Sequence, residues 1–406
     1  MGSWPQLVST SLWNRPLLAS RLARPSSVAL RRVDARPTDN ANCTTTSRPP
    51  CLHVVDVATT TLCSMGVPFK SGAEVLPTHT PVLLKAAVAR AAELLRAGEP
   101  VALPTETVYG LAANALDAQA VAKIFNVKGR PARNPIIVHV AGVEMARRCV
   151  TEWPALADRL AKAFWPGPLT LVLPRSRAIP DIVAAGGATV GVRWPSHPFI
   201  QAVIRACDFP LAAPSANLSN RVSPTNAHHV FKNLGDKICL IVDGGPSQVG
   251  IESTVLDLTA QPPRVLRPGM IHAESLAAVT GELANAERGA RNAELLRSPG
   301  LLPKHYAPKA KLVVLSWRDE TELRRQLSTF NLAPRKTCVI AHTRIPAGKR
   351  VGRVSVIAHD PGSFARAIYA ELHRCDEEGA QLIVVEALPE AEEWQAINDR
   401  LRRAAA

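Results

Sequence analysis

The chain has 406 residues, of which 47% are hydrophobic, 20% charged and 4% aromatic. This composition is typical of a globular protein, and the length is enough for about two or three domains. The formal net charge of +14 favours a polyanionic partner such as a nucleotide, RNA or an acidic surface, without distinguishing among them. No apolar run approaches the ~20 residues needed to cross a bilayer, so we expect no membrane segment.

The cysteines and histidines give no metal-site spacing. Eight cysteines are scattered without a CxxC pair, which favours reduced, mostly buried thiols in a cytosolic setting. The eleven histidines show no HExxH spacing, so we expect no protein-built metal site.

Residues 1–64 differ from the rest of the chain. They contain seven arginines and no lysine, and their first acidic residue is Asp34, a pattern typical of a mitochondrial or plastid transit peptide. Their prolines interrupt any long amphipathic helix, and Met65 offers an alternative start. We interpret residues 1–64 as a disordered, targeting or mis-assigned extension. The predicted location is cytoplasmic, with the mitochondrion as the alternative if the segment is a transit peptide.

Helices and strands are predicted to alternate over residues 80–280, which indicates an α/β sheet layered with helices. Helices are predicted over 82–97, from Asp117 to Lys128, over 142–149, over 154–164, and from an N-cap at Ser223 to about Asn233. Strands are predicted over 100–103, 136–139, 169–173, 189–193, 210–213, 239–242, 253–258 and 264–269.

A basic loop, Lys128–Pro135, precedes one of these strands. It contains three cations, Lys128, Arg130 and Arg133, together with turn-forming glycine and prolines. Arginine offers a planar fork to phosphate oxygens and lysine a compact charge, so this loop suits a polyphosphate. A solvated basic surface loop is the alternative.

The last quarter of the chain is predicted to be a separate unit. A polar connector covers 281–310, and residues 311–406 form a small α/β domain. Its strands are predicted over 311–315, 336–341, 353–357 and 381–386, and its helices near 319–329, 361–378 and 391–404. We recognise no catalytic constellation in this unit.

Familiar nucleotide and nucleophile signatures are missing. The chain has no GxxxxGK[ST], GxGxxG or GxSxG segment and no kinase signature. A bound nucleotide must therefore be held by other means.

Seven other segments occur in a recognisable order. They are Pro104–Leu111, Lys128–Pro131 with Asn134–Pro135 and His139, Trp165–Thr170, Pro214–Asn217, Glu252–Val255, Leu266–Gly269, and Ser298–Gly300 with His305–Pro308. Together they resemble the YrdC-like threonylcarbamoyl-AMP synthases, in the longer two-domain branch, over residues from about 80 to the C-terminus. The resemblance implies an open twisted α/β sheet around a basic cavity over 80–280, a linker over 281–310, and a small Rossmann-like α/β domain over 311–406.

The resemblance also implies a reaction. L-threonine, bicarbonate and ATP would give L-threonylcarbamoyladenylate and pyrophosphate, and the product would pass to the tRNA threonylcarbamoyl transferase machinery. The threonine amine captures CO₂ as a carbamate, whose oxygen attacks the α-phosphorus of ATP. Such catalysis consists mostly of positioning and charge neutralisation. Mg²⁺ is expected to arrive with the ATP phosphates.

The same resemblance implies the site residues. The ATP contacts are Lys128, Arg130, Asn134, Ser215, Ser223, Arg267 and Tyr306, with Lys128 and Arg130 closest to the catalytic step. The threonine contacts are Thr107, His139, Arg193, Ser253 and the backbone at Ala213. Each has an ordinary structural alternative: the histidine a buried hydrogen-bonded residue, the arginines ion-pair partners, Ser223 a helix cap, and Tyr306 packing in the linker.

Three other functions remain open from the sequence. A double-stranded RNA or nucleotide-binding module of the same fold would use the basic cavity without synthase activity, although stacking aromatics are scarce. A carbamoyltransferase of hydrogenase maturation would need an acylphosphatase domain and CxxC zinc fingers, and neither is present. A regulatory protein would have kept the fold and lost the activity.

Overall fold

The computed structural model describes residues 72–284, 304–347 and 351–406. The extension over 1–64 and the Ser298–Gly300 part of the linker motif, with the Leu301–Pro303 segment that follows it, lie outside these ranges.

A ten-stranded mixed sheet forms the first layer, with strand order β1-β8-β2-β3-β7-β4-β6-β5-β9-β10. The strands are β1 (Glu74–Pro77), β2 (Val101–Leu103), β3 (Gly110–Asn114), β4 (Val138–His139), β5 (Leu169–Pro174), β6 (Thr189–Arg193), β7 (Leu211–Ala212), β8 (Leu240–Asp243), β9 (Thr254–Asp257) and β10 (Arg264–Arg267). The helices around it are α1 (Pro81–Arg96), α2 (Ala118–Lys128), α3 (Val143–Cys149), α4 (Ala155–Phe164), α5 (Pro198–Cys207), α6 (Ala227–Leu234) and α7 (Ala273–Thr280).

Local sequence explains the bounds of the two longest of these helices. The Thr80 hydroxyl accepts the N–H of Leu83 at the start of α1, where Pro81 already has a helical φ. The Asp117 carboxylate accepts two amides at the start of α2, and Gly129 ends that helix in the left-handed conformation at φ 59°. The predicted cap at Asp117 and the delivery of Lys128 at the helix end are confirmed.

The predicted helix cap at Ser223 is wrong. α6 begins three residues later than expected, and the side chain of Asn226 accepts the N–H of His229 as its cap. The Ser223 hydroxyl instead donates to Glu252 at 2.6 Å. A Ser-Pro pair is a good local start signal, but a buried carboxylate acceptor outweighs it here. The strands β1 and β3 and the helices α5 and α7 are present in addition to the predicted elements.

A second, four-stranded sheet contains the C-terminal elements and is parallel throughout, in the order β11-β14-β12-β13. Its strands are β11 (Lys311–Leu315), β12 (Thr337–Ala341), β13 (Arg353–Val356) and β14 (Leu382–Glu386), and its helices α8 (Glu320–Ser328), α9 (Pro361–Glu377) and α10 (Gln395–Ala405). A large mixed sheet followed by a small parallel one confirms the predicted α/β class.

The two sheets are joined by shared apolar packing. Val108, Val222 and Ile251, which belong to loops of the first sheet, are buried in the same cluster as the core of α9 and α10. A hydrogen bond also joins the two parts there, since the Arg366 side chain donates to the Gln248 carbonyl at 2.8 Å.

None of the helices in the described ranges combines the length and apolarity of a membrane span.

Gly250 lies at a close approach of the two parts. Its φ is +86°, and a Cβ there would overlap the backbone of Ala365 and Arg366 on α9. Gly245 has a similar φ of +79°, but a Cβ there would meet nothing within 4 Å. Substitution of Gly245 would therefore cause backbone strain alone, whereas substitution of Gly250 would cause backbone strain and steric overlap.

We expect Gly245→Ala to lower the free energy of unfolding by about 1–2 kcal/mol, the ordinary cost of a left-handed L-residue. Gly250→Ala should cost a further ~1–3 kcal/mol, because the methyl group must displace α9. Urea unfolding of the two variants measures the difference. Equal losses would contradict a tight packing of α9 on the loop at Gly250.

Candidate active site

One cavity gathers most of the residues predicted from the sequence. Its lining includes nine of the twelve: Thr107, Arg130, His139, Arg193, Ala213, Ser215, Ser253, Arg267 and Tyr306. Lys128, Asn134 and Ser223 are buried nearby but do not belong to the lining. The cavity holds about 50 Å³ of free space, more than one water molecule needs.

The loop between β2 and β3 forms one wall of the cavity. Although it has no regular structure, residues Thr105–Tyr109 are buried. The Thr105 hydroxyl bonds the Val108 carbonyl at 2.6 Å, and the amides of Val249 and Gly250 bond the carbonyls of Glu106 and Thr107. Because its buried backbone groups find partners, the loop can present its side chains in a fixed arrangement.

Arg193 lies at the end of β6, and three protein oxygens contact its guanidinium. Its Nη2 lies 2.6 Å from Glu106 Oε1, its Nη1 donates to the Thr107 hydroxyl at 2.9 Å, and its Nε donates to the Gly167 carbonyl at 3.2 Å. The Arg193 and Glu106 side chains are each 4% exposed, so water screens the pair little. Nε and Nη1 thus each donate one hydrogen bond to the protein, whereas Nη2 pairs with Glu106 by charge and has no hydrogen-bond partner among the described residues, so its protons remain available to a ligand.

Glu106 belongs to the motif Pro104–Leu111 but was not predicted as a site residue. Burial opposes its ionisation, yet the charge of Arg193 and the Ser196 amide outweigh burial and lower the pKa of this carboxyl. Its Oε2 has no hydrogen-bond partner among the described residues. A glutamate between two threonines at a strand end was the available signal.

His139 is the register partner of Arg193, on the adjacent parallel strand β4. Burial first, and the positive charge of Arg193 second, lower the pKa of His139 to about 3. His139 is therefore a neutral imidazole at physiological pH. It can donate or accept a hydrogen bond but adds no charge to the cavity.

Arg130 and Lys128 differ in their contacts. Arg130 lines the cavity and donates to the carbonyls of Asn134 and Pro135 at 3.1 and 2.6 Å, which folds the basic loop around its own side chain. Lys128 donates to the carbonyls of Ser215 and Asn217, so it holds the Pro214–Asn217 loop in place. Burial first, and the nearby Arg130 second, lower the pKa of Lys128 well below its usual value.

Asn134 is fully buried, and neither atom of its side-chain amide has a hydrogen-bond partner among the described residues. An unpaired buried amide is costly, so it is a natural place for a ligand to bind.

Arg267 and Ser253 form another wall of the cavity. Arg267 follows a bulge in β10, where the register against β9 shifts, and its Nη2 and Nε donate to the hydroxyl and carbonyl of Ser253, each at 3.1 Å. The bulge turns the guanidinium toward the cavity. The Ser253 hydroxyl also lies 2.8 Å from that of Thr170.

Tyr306 closes the cavity from the linker side. It is 1% exposed and has a positive φ of 60°, and the neighbouring His305 lines the cavity with it. The His305 amide bonds the Arg403 carbonyl of α10, and the Ala307 amide bonds the Asn220 carbonyl. The linker end is thus tied to both sheets.

Glu252 also lines the cavity. It belongs to the motif Glu252–Val255, but no role was predicted for it. It stands directly before Ser253 and is the only acidic member of the lining within the described ranges. Burial opposes its ionisation, but Arg400 and then Arg267 outweigh burial and lower its pKa. Its place directly before Ser253 in the motif Glu252–Val255 was the available signal, whereas nothing in the local sequence pointed to its partner Arg400.

Two family models match adjoining parts of the chain. The model described as telomere recombination matches residues 93–269, and the model described as threonylcarbamoyl-AMP synthase, C-terminal domain, matches residues 271–406.

Relatives with known names resemble the chain over most of its length. The threonylcarbamoyl-AMP synthase of Pyrococcus abyssi is 41% identical over 77% of this chain and 92% of that protein, and the enzyme of the same name from Bacillus subtilis is 41% identical over 78% and 92%. A crystal structure of P. abyssi Sua5 complexed with L-threonine superposes with a TM-score of 0.74 and 38% identity, covering 82% of this chain and 96% of that one.

The neutral state of His139 predicts a pH dependence of stability. His139 takes up a proton near pH 6.5 in the unfolded chain but only near pH 3 in the folded protein. The contribution of neutral His139 to the free energy of unfolding is therefore complete above pH 6.5 and is lost as the pH falls toward 3. We expect His139→Gln to reduce the slope of unfolding free energy between pH 5 and 6 by about 1 kcal/mol per pH unit. Urea titrations at each pH measure it, with His79→Gln at an exposed position as control. Identical slopes in wild type and His139→Gln would refute the neutral assignment.

Proposed function

The chain belongs to the threonylcarbamoyl-AMP synthase family, as its seven motifs predicted, and we propose that it forms L-threonylcarbamoyladenylate and pyrophosphate from L-threonine, bicarbonate and ATP. The observation that carries the proposal is the convergence of nine predicted residues on one buried, cationic cavity. The relatives supply the name of the reaction, and the cavity supplies groups that suit it.

In the proposed reaction, bicarbonate takes up a proton and loses water to give CO₂, and the threonine amine adds to this CO₂ and releases a proton to give a carbamate. A carbamate oxygen then forms a bond to the α-phosphorus of ATP while the bond to the leaving pyrophosphate breaks. No covalent bond to the protein is required. The protein has to bring two anions together, and the buried guanidinium groups reduce their repulsion.

Threonine is proposed to bind on the Arg193 side. The guanidinium protons that make no hydrogen bond to the protein would hold its carboxylate, while the ion pair with Glu106 orients the side chain. His139, Ser253 and the Thr107 hydroxyl would surround the side chain and the amine. The amide of Ala213 already donates to Ile137, so the backbone there can offer only its carbonyl oxygen.

ATP is proposed to bind on the Arg130 and Arg267 side, near Ser215 and Tyr306. The Ser223 hydroxyl donates its proton to Glu252. Toward a nucleotide it can therefore only accept a hydrogen bond, for instance from a ribose hydroxyl or the adenine amino group. Lys128 would act by holding the Ser215 loop. Because His305 and Tyr306 line the cavity from the linker side, we propose that this end of the linker moves aside for ATP to enter.

Mg²⁺ is proposed to enter with ATP as a companion of its phosphates. Within the described ranges, no cluster of three or more metal-ligating side chains is present, and the one lining carboxylate, Glu252, is hydrogen-bonded to protein groups. The transfer of the product to a tRNA threonylcarbamoyl transferase, any RNA binding and the cytoplasmic location stay predictions.

The proposal is tested by pyrophosphate release from ATP by the purified protein. Release should require L-threonine and bicarbonate together, and each omission is its own control. Nucleotide binding without release would favour the binding-module alternative, which a parallel titration with double-stranded RNA would then address.

Arg193→Lys keeps a charge but loses the fork that would hold the threonine carboxylate. We expect the KM for threonine to rise about tenfold or more, an interaction of at least ~1.4 kcal/mol, with the KM for ATP changed little.

Arg130→Lys should have the reverse effect, on ATP. The exposed pair of Arg147 with Asp158 provides the matched control, Arg147→Lys, which should change neither constant. Parallel changes in both constants for Arg193→Lys would remove Arg193 from the threonine site.

A further inference from the structure

The side chain of Glu252 is held from both parts of the chain. Its Oε1 accepts from the Ser223 hydroxyl at 2.6 Å. Its Oε2 accepts from Nε of Arg400 at 2.9 Å and from the Tyr369 hydroxyl at 3.2 Å. Tyr369 lies on α9 and Arg400 on α10, so two of the three donors come from helices of the second sheet.

Arg400 is fixed where it pairs with Glu252. It is 1% exposed, and Asp399 accepts from its Nη1 at 2.9 Å. Its guanidinium lies 5.3 Å from the centre of the Tyr306 ring, which in turn stacks on Tyr369 at 5.9 Å between ring centres. The arginine therefore contacts both the lining carboxylate and the aromatic ring that closes the cavity.

The location of Glu252 makes this pairing relevant to anion binding. A carboxylate in the lining of a buried cavity repels a polyphosphate strongly, because low-dielectric surroundings screen it weakly. Arg267, on the same wall, interacts electrostatically with Glu252. A Glu252 without Arg400 would both repel the nucleotide and compete with it for Arg267.

We propose that Arg400, assisted by Tyr369, is a positioning residue for ATP: the second sheet domain neutralises Glu252 and keeps Ser223 and Tyr306 in place for the nucleotide. The proposal rests on the proposed function for the identity of the nucleotide. It gives the C-terminal domain a direct part in the reaction without contact to the reacting atoms.

The test compares Arg400→Met with Arg353→Met. Arg353 makes a half-buried network inside the second domain, with Glu371, Glu378 and Ser355, and these partners all belong to that domain. For Arg400→Met we expect the KM for ATP to rise about tenfold or more and the KM for threonine to change less than about twofold. Arg353→Met should lower the melting temperature without this selectivity.

A second substitution separates charge from folding. In Arg400→Met/Glu252→Gln the unpaired carboxylate is gone, so the KM for ATP should return most of the way to the wild-type value. Tyr369→Phe, which removes one weak hydrogen bond, should raise the same constant about two- to threefold and keeps the test available if Arg400→Met does not fold.

Direct ATP titration of the same variants, in the absence of threonine, distinguishes this inference from the proposed function. If wild type binds ATP and Arg400→Met does not, the inference stands even where no pyrophosphate is released. Equal rises in both KM values that follow the loss of melting temperature, or a double variant that regains stability but not ATP affinity, would overturn it.

Discussion

Burial of positive charge is the constraint on which the rest of the site depends. Lys128, Arg130, Arg193 and Arg267 surround or adjoin one cavity and are each less than a tenth exposed. A cation removed from water is strongly destabilising unless hydrogen-bond acceptors replace the water. The fold supplies them mainly as backbone carbonyls, from Asn134, Pro135, Gly167, Ser215, Asn217 and Ser253. Irregular loops at strand ends have such carbonyls to offer, whereas the interior of a strand does not, because the ladder uses them.

Only two carboxylates contribute to this balance among the described groups around the cavity, and they do so in different ways. Glu106 pairs with Arg193 inside the first sheet domain and orients it. Glu252 pairs with Arg400, which belongs to the last helix of the chain. The first pair fixes the guanidinium for which we propose threonine binding, and the second joins two parts of the molecule through a buried ion pair. Such a pair adds little net stability by itself, but breaking it leaves an uncompensated charge. The two domains therefore meet where the electrostatics of the cavity are set.

The elements were predictable where local chemistry decides them. Asp117 caps α2 and Gly129 ends it, because each acts on its own helix terminus. The bounds of β6 and β11 were predicted to the residue, since period-two or fully apolar runs are local patterns. Ser223 was misassigned as a cap because its true acceptor, Glu252, is 29 residues further along the chain. Arg400 was missed for the same reason, since its partner is 148 residues away and α10 alone has the pattern of an ordinary amphipathic helix.

The sequence by itself determined the class of fold, the family and the side chains that surround the cavity, because these follow from periodicity and from short motifs in a fixed order. The tertiary structure decided which of those side chains face the cavity and which hold others in place. It placed Arg130 in the cavity lining and Lys128 outside it, where Lys128 holds the Ser215 carbonyl. It also paired Arg193 with Glu106 and Arg400 with Glu252. These outcomes depend on strand register, on a bulge before Arg267 and on the packing of one domain against another. They are long-range properties, which no local pattern in the chain encodes.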